Sequence, residues 1–289
     1  MRITMIEEKN KTEASTLYLV ATPIGNLADL SDRAKKILTE VDFVAAEDTR
    51  NSAKLLACFG IHNELVSYHE HNKRQSGERI VARLLEGKSC ALITDAGMPA
   101  ISDPGEDLVA LCAESGVTVR VIPGCCAAVS ALSLSALPTG RFVFEGFLPV
   151  QKGERKERLG ALINEERTII FYEAPHKLKN TLADLAEAFG KDRRISLCRE
   201  LTKLNEEIIR TDIKGAIAVY EEKEPRGEYV LVVEGGSGRK EESELALLSP
   251  EEHVEFYISG GMKRMDAIKL AAKERGVSKS VLYKQLLDE

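Results

Sequence analysis

The sequence predicts an α/β protein of two α/β domains, the first on a parallel sheet and the second on a mixed one, with a small helical extension behind them. Three observations carry that expectation. Short apolar runs alternate with helix-length segments, a pattern that calls for a mostly parallel sheet covered on both faces. Turns dense in glycine, proline and ionisable residues follow those runs, as expected of loops at the carboxyl edge of such a sheet. The alternation breaks at Leu137-Pro-Thr-Gly140, restarts, and ends at Gly235-Gly-Ser-Gly238 with a charged run behind it.

Taken in order, residues 1–15 are polar and read as a disordered leader. Strands are expected at 17–21, 43–46, 65–67, 90–94 and 117–122, separated and followed by helices near 31–39, 52–59, 74–86, 106–114 and 127–136, which make a first domain over 16–138. The second series, over 139–236, has strands at 142–147, 168–172, 195–199, 206–210 and 229–233 and helices near 154–164, 176–189 and 214–221. Residues 237–249 read as a flexible linker and 250–289 as a helical tail. Within the tail, the stretch from Met265 reads as helix, Gly-Val-Ser turn, helix, with Ser278 capping the second helix in a helix-turn-helix shape.

A hydrophobic content of 44% and a charged content of 30% describe a globular chain, and no apolar run nears the ~18 residues of a spanning helix. The start lacks the apolar segment of a secretion signal, so a cytoplasmic location without membrane contact is expected. The six cysteines form no C-x-x-C pair and the five histidines no H-E-x-x-H, so no metal is expected. A net charge of −6 is the opposite of a general polyanion binder, so any nucleic acid must be held by a local patch. Lys152, Arg155, Lys156 and Arg158 form one such cluster, and Lys263, Arg264, Lys269, Lys273, Arg275, Lys279 and Lys284 another.

The loops carry the chemistry. Asp95 to Gly105 is an eleven-residue turn after an apolar strand, where most such loops run only about 2 to 6 residues. Its glycines admit close approach of a ligand, its prolines stiffen it, and Asp95 and Asp103 supply carboxylates. Val20 to Leu27 lacks the G-x-G-x-x-G of a dinucleotide cradle, while Pro123-Gly-Cys-Cys-Ala-Ala128 opens a helix of small residues with backbone N–H groups free for a carboxylate or similar ligand. Glu47-Asp-Thr-Arg50 and Ser67-Tyr-His-Glu-His-Asn72 put ionisable groups at two further strand ends, where substrate handling is expected. The plainer alternative pairs Glu47 with Arg50 and makes Asp48 a helix cap. Phe171 to Lys177 and Arg199 to Glu206 end strands in the second half, and together these turns predict a shared cleft.

In order, Thr22-Pro-Ile-Gly-Asn-Leu, Glu47-Asp-Thr-Arg, Asp95-Ala-Gly-Met-Pro-x-Ile-Ser-Asp-Pro-Gly, Pro123-Gly, Glu145-Gly-Phe-Leu-Pro, Phe171-Tyr-Glu-x-Pro-His, Arg199-Glu-Leu-Thr-Lys and Gly227-Glu-Tyr-Val-Leu-Val-Val-Glu-Gly235 closely resemble the ribosomal RNA small subunit methyltransferase I family, the RNA-modifying branch of the tetrapyrrole methylases. The resemblance implies two domains of tetrapyrrole methylase type. It also implies methyl transfer from S-adenosylmethionine to the ribose 2′-hydroxyl of a cytidine in the decoding region of 16S rRNA, free or in the small ribosomal subunit, by a homodimer. The family's cofactor loop falls on Gly97, Met98 and Pro99 and continues through Ile101 and Ser102, with Asp95 at its start. Its further cofactor positions fall on Ala127, Ala128, Tyr172 and Glu173, and Pro23 and Ile24 close the pocket. Cys125-Cys126 departs from the usual residues at that helix start.

A ribose hydroxyl is a weak nucleophile until its proton leaves, so Glu47 or Asp48 is expected to take or orient that proton. Arg50, His69, His71, Lys152, Arg155, Lys156 and Arg158 are expected to meet RNA. Two rival readings are a methylase acting on a tetrapyrrole or another small substrate, and a DNA-binding regulator working through Met265 to Leu287. The second leaves the loops of residues 17–235 without a role, and the tail is expected to help dock RNA.

Overall fold

The computed structural model describes residues 11–236, 248–275 and 277–286. Residues 237–247 of the expected linker, the first ten residues of the expected leader, and residues 276 and 287–289 of the expected tail lie outside these. Residues 11–15 of that leader are tied to the first domain: Thr12 donates to Glu40 at 2.7 Å, the Glu13 N–H donates to the Tyr18 hydroxyl at 2.8 Å, and Arg120 pairs with Glu13 at 2.6 Å.

Strands β1 (Thr16–Val20), β2 (Phe43–Ala46), β3 (Leu65–Ser67), β4 (Cys90–Ile93) and β5 (Thr118–Ile122) form one sheet in the order β3-β2-β4-β1-β5, every pair parallel. Between them run α1 (Asp32–Glu40), α2 (Thr49–Cys58), α3 (Lys73–Leu85) and α4 (Gly105–Glu114). Side-chain alternation along β1 sorts the helices. Tyr18 and Val20 pack in one core with Ile37 and Leu38 of α1 and Leu56 of α2. Leu17 packs in the other with Ile80 and Leu84 of α3 and Leu108 of α4. Both faces of β1, β2 and β4 are buried, hence their near-continuous apolar sequences, whereas the edge strand β5 is largely exposed; each fully buried aliphatic side chain contributes roughly 1.5–3 kcal/mol.

The strand order prepares the site. From β1 the chain crosses to β2 on one side, and from β4 it crosses to β5 on the other, so the loops leaving these two neighbouring strands diverge to opposite faces. The crevice opened by such a reversal is where open α/β sheets take ligands.

The second sheet has the order β6-β7-β10-β8-β9 from β6 (Phe142–Phe147), β7 (Thr168–Glu173), β8 (Arg194–Arg199), β9 (Glu207–Asp212) and β10 (Tyr229–Val233). Only β6 and β7 pair in parallel; β10 runs antiparallel to β7 and β8, and β9 to β8. Helix α5 (Ala127–Leu134) follows the last strand of the first sheet but buries Ala128, Ala131 and Leu132 against Ile170, Cys198, Val230 and Val232 of the second. The remaining helices of this half are α6 (Lys152–Leu162), α7 (Leu178–Phe189) and α8 (Ile213–Glu222). Ile24, from the first sheet's loop, joins the same cluster as α5. The two α/β domains are thereby stitched into one compact unit, to which residues 161–167 and the C-terminal helices do not belong.

Those helices, α9 (Pro250–Ser259), α10 (Arg264–Glu274) and α11 (Lys279–Gln285), enclose their own small core of Val254, Ile268, Ala271 and Leu282. A capping box at Ser249 and Glu252 starts α9, and Ser278 caps α11 by accepting from the Val281 N–H. Buried His253 contacts Glu274 at 2.9 Å, and the Tyr257 hydroxyl donates to the same carboxylate at 2.8 Å. Among the described residues, no helix is long and apolar enough to cross a membrane and no cluster of three or more potential metal ligands occurs.

Candidate active site

The divergence of the loops after β1 and β4 is locked by a backbone bridge. The Thr22 N–H donates to the Gly97 carbonyl at 2.9 Å and the Gly97 N–H donates back at 3.1 Å. Gly97 sits at φ +88°, and a Cβ there would come within 3.3 Å of the Ile24 side chain, so glycine is needed both for the conformation and for the space. Ala100 and Ser102 also adopt positive φ, at 66° and 65°. Such residues cost about 1–3 kcal/mol each and persist only where the surroundings hold them. Here the holder is Asp103, whose carboxylate accepts from the N–H groups of Ala100 at 3.0 Å, Ile101 at 3.3 Å and Gly105 at 2.7 Å. Beside this loop, α5 begins at Cys126 without a side-chain cap, and the Ala128 N–H of its first turn faces the Tyr172 hydroxyl.

The opposite wall comes from the second sheet and is made of side chains. Tyr172 and Glu173 end β7. The Tyr172 ring meets Phe144 and Phe147 edge to face at 5.0 and 5.6 Å, and burial pushes its hydroxyl up to about 12. Glu173 is 4% exposed; its carboxylate accepts from Thr181 and from the Ala174 N–H, and Arg155 reaches it indirectly by donating to Thr181 at 2.8 Å. Between β8 and β9 the backbone is strained at Glu200 and Thr202, with φ of 51° and 66°. This loop closes over the turn after β1 so tightly that a Cβ on Gly25 would overlap the Lys203 side chain. The Lys203 ammonium donates to Glu200 and Glu228, each at 2.8 Å. Burial would push that ammonium down, but the two carboxylates outweigh it and its affinity for the proton rises. The same bond holds the Glu200 carboxyl below the usual range.

These walls enclose a cavity of about 580 Å³. Of the residues expected at the cofactor, Ile24, Gly97, Met98, Ile101, Ser102, Ala127, Tyr172 and Glu173 line it, together with Glu47. Pro99 is buried beneath the loop and Ala128 lies in the core under α5. Pro23 and Asp95 face a second, smaller cavity of about 150 Å³. Thr94 lines both cavities, and its hydroxyl donates to Glu47 at 3.1 Å. Asp48 caps α2 by accepting from the Arg50 N–H at 2.8 Å and pairs with the Arg50 guanidinium at 2.9 Å. The side-chain hydrogen bonds to Arg50 hold its carboxyl down at about 2. The partner of Arg50 is thus Asp48, while Glu47 is left facing the large cavity.

In the expected RNA cluster, Arg155 pairs with Asp184 at 2.5 Å and Arg158 with Glu145 at 2.6 Å, whereas Lys152 and Lys156 are exposed. His69 and His71 sit 6.0 Å apart, ring to ring, in the turn after β3, and line neither cavity. Sequence reasoning missed Phe147, His176, Lys203 and Glu228 as cavity residues. Lys203 and Glu228 stood inside recognised stretches, but nothing local marks a lysine on one loop as the partner of a glutamate on another.

Comparison with known proteins agrees with this geometry. The family model of Tetrapyrrole (Corrin/Porphyrin) Methylases matches residues 16–217. A protein named ribosomal RNA small subunit methyltransferase I from Halalkalibacterium halodurans is 48% identical over 95% of this chain and 96% of its own length. Its counterpart from Bacillus subtilis is 48% identical over 94% of each chain, and that from Escherichia coli O157:H7 is 43% identical over 94% of this chain and 95% of that one. Among solved structures, diphthine synthase superposes with a TM-score of 0.59 at 14% identity, covering 76% of this chain and 90% of that one. A Thermus thermophilus uroporphyrin-III C-methyl transferase complexed with S-adenyl homocysteine gives 0.54 at 18% identity, covering 76% of this chain and 97% of that one. At those identities the structures speak for the fold alone.

Proposed function

We propose that this chain, which belongs to the ribosomal RNA small subunit methyltransferase I family of the tetrapyrrole methylases, methylates the ribose 2′-hydroxyl of a cytidine in the decoding region of 16S rRNA. S-adenosylmethionine is the donor, a sulfonium whose methyl group is already activated for transfer. The observation that carries the reading is the 580 Å³ cavity closed by both sheets, with a glycine turn on one side and buried Glu173 on the other. Its features suit that donor. Backbone at Gly97 has room only for close approach, the uncapped start of α5 offers N–H groups to a carboxylate, and the Glu47 and Glu173 carboxylates favour a cationic centre.

The chain's own work is then positioning and proton handling. Glu47, oriented by the Thr94 hydroxyl, takes the proton as the acceptor oxygen attacks in line. Asp48, engaged with Arg50, orients α2 instead. Lys152 and Lys156 on α6 meet phosphates, with Arg50, His69 and His71 along the same strand-end edge and with the basic residues of the tail as a further anchor. We take the working form to be a cytoplasmic homodimer.

The test is to incubate the protein with labelled S-adenosylmethionine and undermethylated small ribosomal subunits and to map 2′-O-methyl positions. Labelling of one cytidine is expected. Labelling of uroporphyrinogen in its place would favour the tetrapyrrole reading.

A further inference from the structure

A cavity of about 150 Å³ lies beside the large one and shares only Thr94 with its lining. It has room for roughly ten water-sized volumes, which suits one planar ring and not a whole nucleoside sulfonium. Pro23, Leu27 and Leu55 give it apolar walls, and Asn51 and Asp95 give it one polar edge. The Asn51 amide donates to Asp95 at 3.3 Å, longer than a good amide hydrogen bond, and the other Asp95 oxygen has no hydrogen-bond partner among the described residues. Thr94 borders both cavities and donates to Glu47 in the larger one, so this one residue joins the smaller cavity to the carboxylate assigned to the proton step.

We propose that the smaller cavity seats the base of the acceptor nucleotide and selects cytosine, with Asp95 accepting from the 4-amino group and the Asn51 amide donating to ring nitrogen N3. The proposal rests on the ribose-methylating reading above. The chemistry discriminates. Cytosine presents a donor and then an acceptor along that edge, whereas uracil presents a carbonyl to the carboxylate and an N–H to the amide, so both contacts turn repulsive. Enzymes that act on a nucleotide commonly unstack it, and an aliphatic slot replaces part of the stacking that is lost.

The experiment compares wild-type protein, Asp95→Asn and Asn51→Ala on small subunits carrying cytidine or uridine at the methylated position, with S-adenosylhomocysteine binding measured by calorimetry. Asp95 and Asn51 are exposed, so both variants are expected to fold, with unchanged Tm. Asp95→Asn should lower kcat/KM on the cytidine substrate by roughly tenfold to a hundredfold and shrink the cytidine-over-uridine preference by a similar factor. Asn51→Ala should lower kcat/KM on cytidine, and both variants should bind S-adenosylhomocysteine like wild type. An unchanged base preference in Asp95→Asn, or weakened S-adenosylhomocysteine binding in either variant, overturns the proposal. If wild-type protein methylates no ribose on either substrate, the function reading itself fails and the base pocket falls with it.

Discussion

The two walls of the large cavity are built by different means. The first sheet contributes backbone: a glycine at positive φ, two strained residues held by Asp103, and an uncapped helix start. The second sheet contributes side chains: Tyr172, Glu173, His176, Lys203 and Glu228. A wall of backbone shapes a site by what it leaves out, whereas a wall of side chains shapes it by charge and contact. The first kind tolerates little substitution, because a Cβ cannot be relaxed away; the second can be altered in steps.

The sharpest way to break the comparison lies at Glu47, the carboxylate that the backbone wall presents to the cavity together with Asp103. Glu47→Gln should cut kcat about a hundredfold, as read by single-turnover methylation, with affinity for the uncharged S-adenosylhomocysteine unchanged. An unaffected rate would remove Glu47 from the proton step.

Gly97→Val is expected to reduce S-adenosylhomocysteine affinity by roughly ten- to a hundredfold, since it adds strain of about 1–3 kcal/mol and pushes on Ile24. Calorimetry on folded variant would check this, and wild-type affinity would sink the claim that the first wall works through its backbone. On the second wall, Lys203→Met should weaken donor binding about tenfold by freeing the loop between β8 and β9. Because Lys203 holds the Glu200 carboxyl below its ordinary value, that pair stabilises the wild type above the usual carboxylate range and the contribution is lost as pH falls through the lowered value. Acid unfolding of Lys203→Met should accordingly show a shallower slope.

The smallest effect is expected away from both walls. Asp42 accepts from the Ser89 N–H and pairs with Lys88, and the Ser89 contact above all lowers its carboxyl to about 2. Its contribution is complete above the usual carboxylate value and disappears as pH falls through about 2. Asp42→Asn should lower Tm by a few degrees at pH 6, with the gap closing in acid, and should leave methylation intact.

Most of the fold was legible. Unbroken apolar runs located β2 and β4 because both of their faces are buried, and the helix-length segments between the runs located the helices. The loop from Asp95 was legible for a related reason, since glycine and proline mark backbone geometry one residue at a time. The bond from Thr94 that aims Glu47 into the cavity could not be read from either residue, and Arg155 and Arg158 looked like free phosphate ligands until Asp184 and Glu145 came alongside. Likewise Pro23 and Asp95 looked like neighbours of Gly97 at one ligand, yet the turn directs them to a separate cavity.

By itself the sequence determined the alternation of elements, the sharp turns at strand ends and the family to which the chain belongs. The first two are local properties, set by the conformations each residue permits and by the spacing of apolar side chains, and the family rests on the resemblance of the ordered motifs. Only the tertiary structure decided that α5 leaves one sheet to pack on the other, that Lys203 meets Glu228, and that Thr94 stands between two cavities. Each of these joins positions far apart in the chain, and such a pairing is settled by packing and charge once the backbone has closed, not by the residues on either side of it.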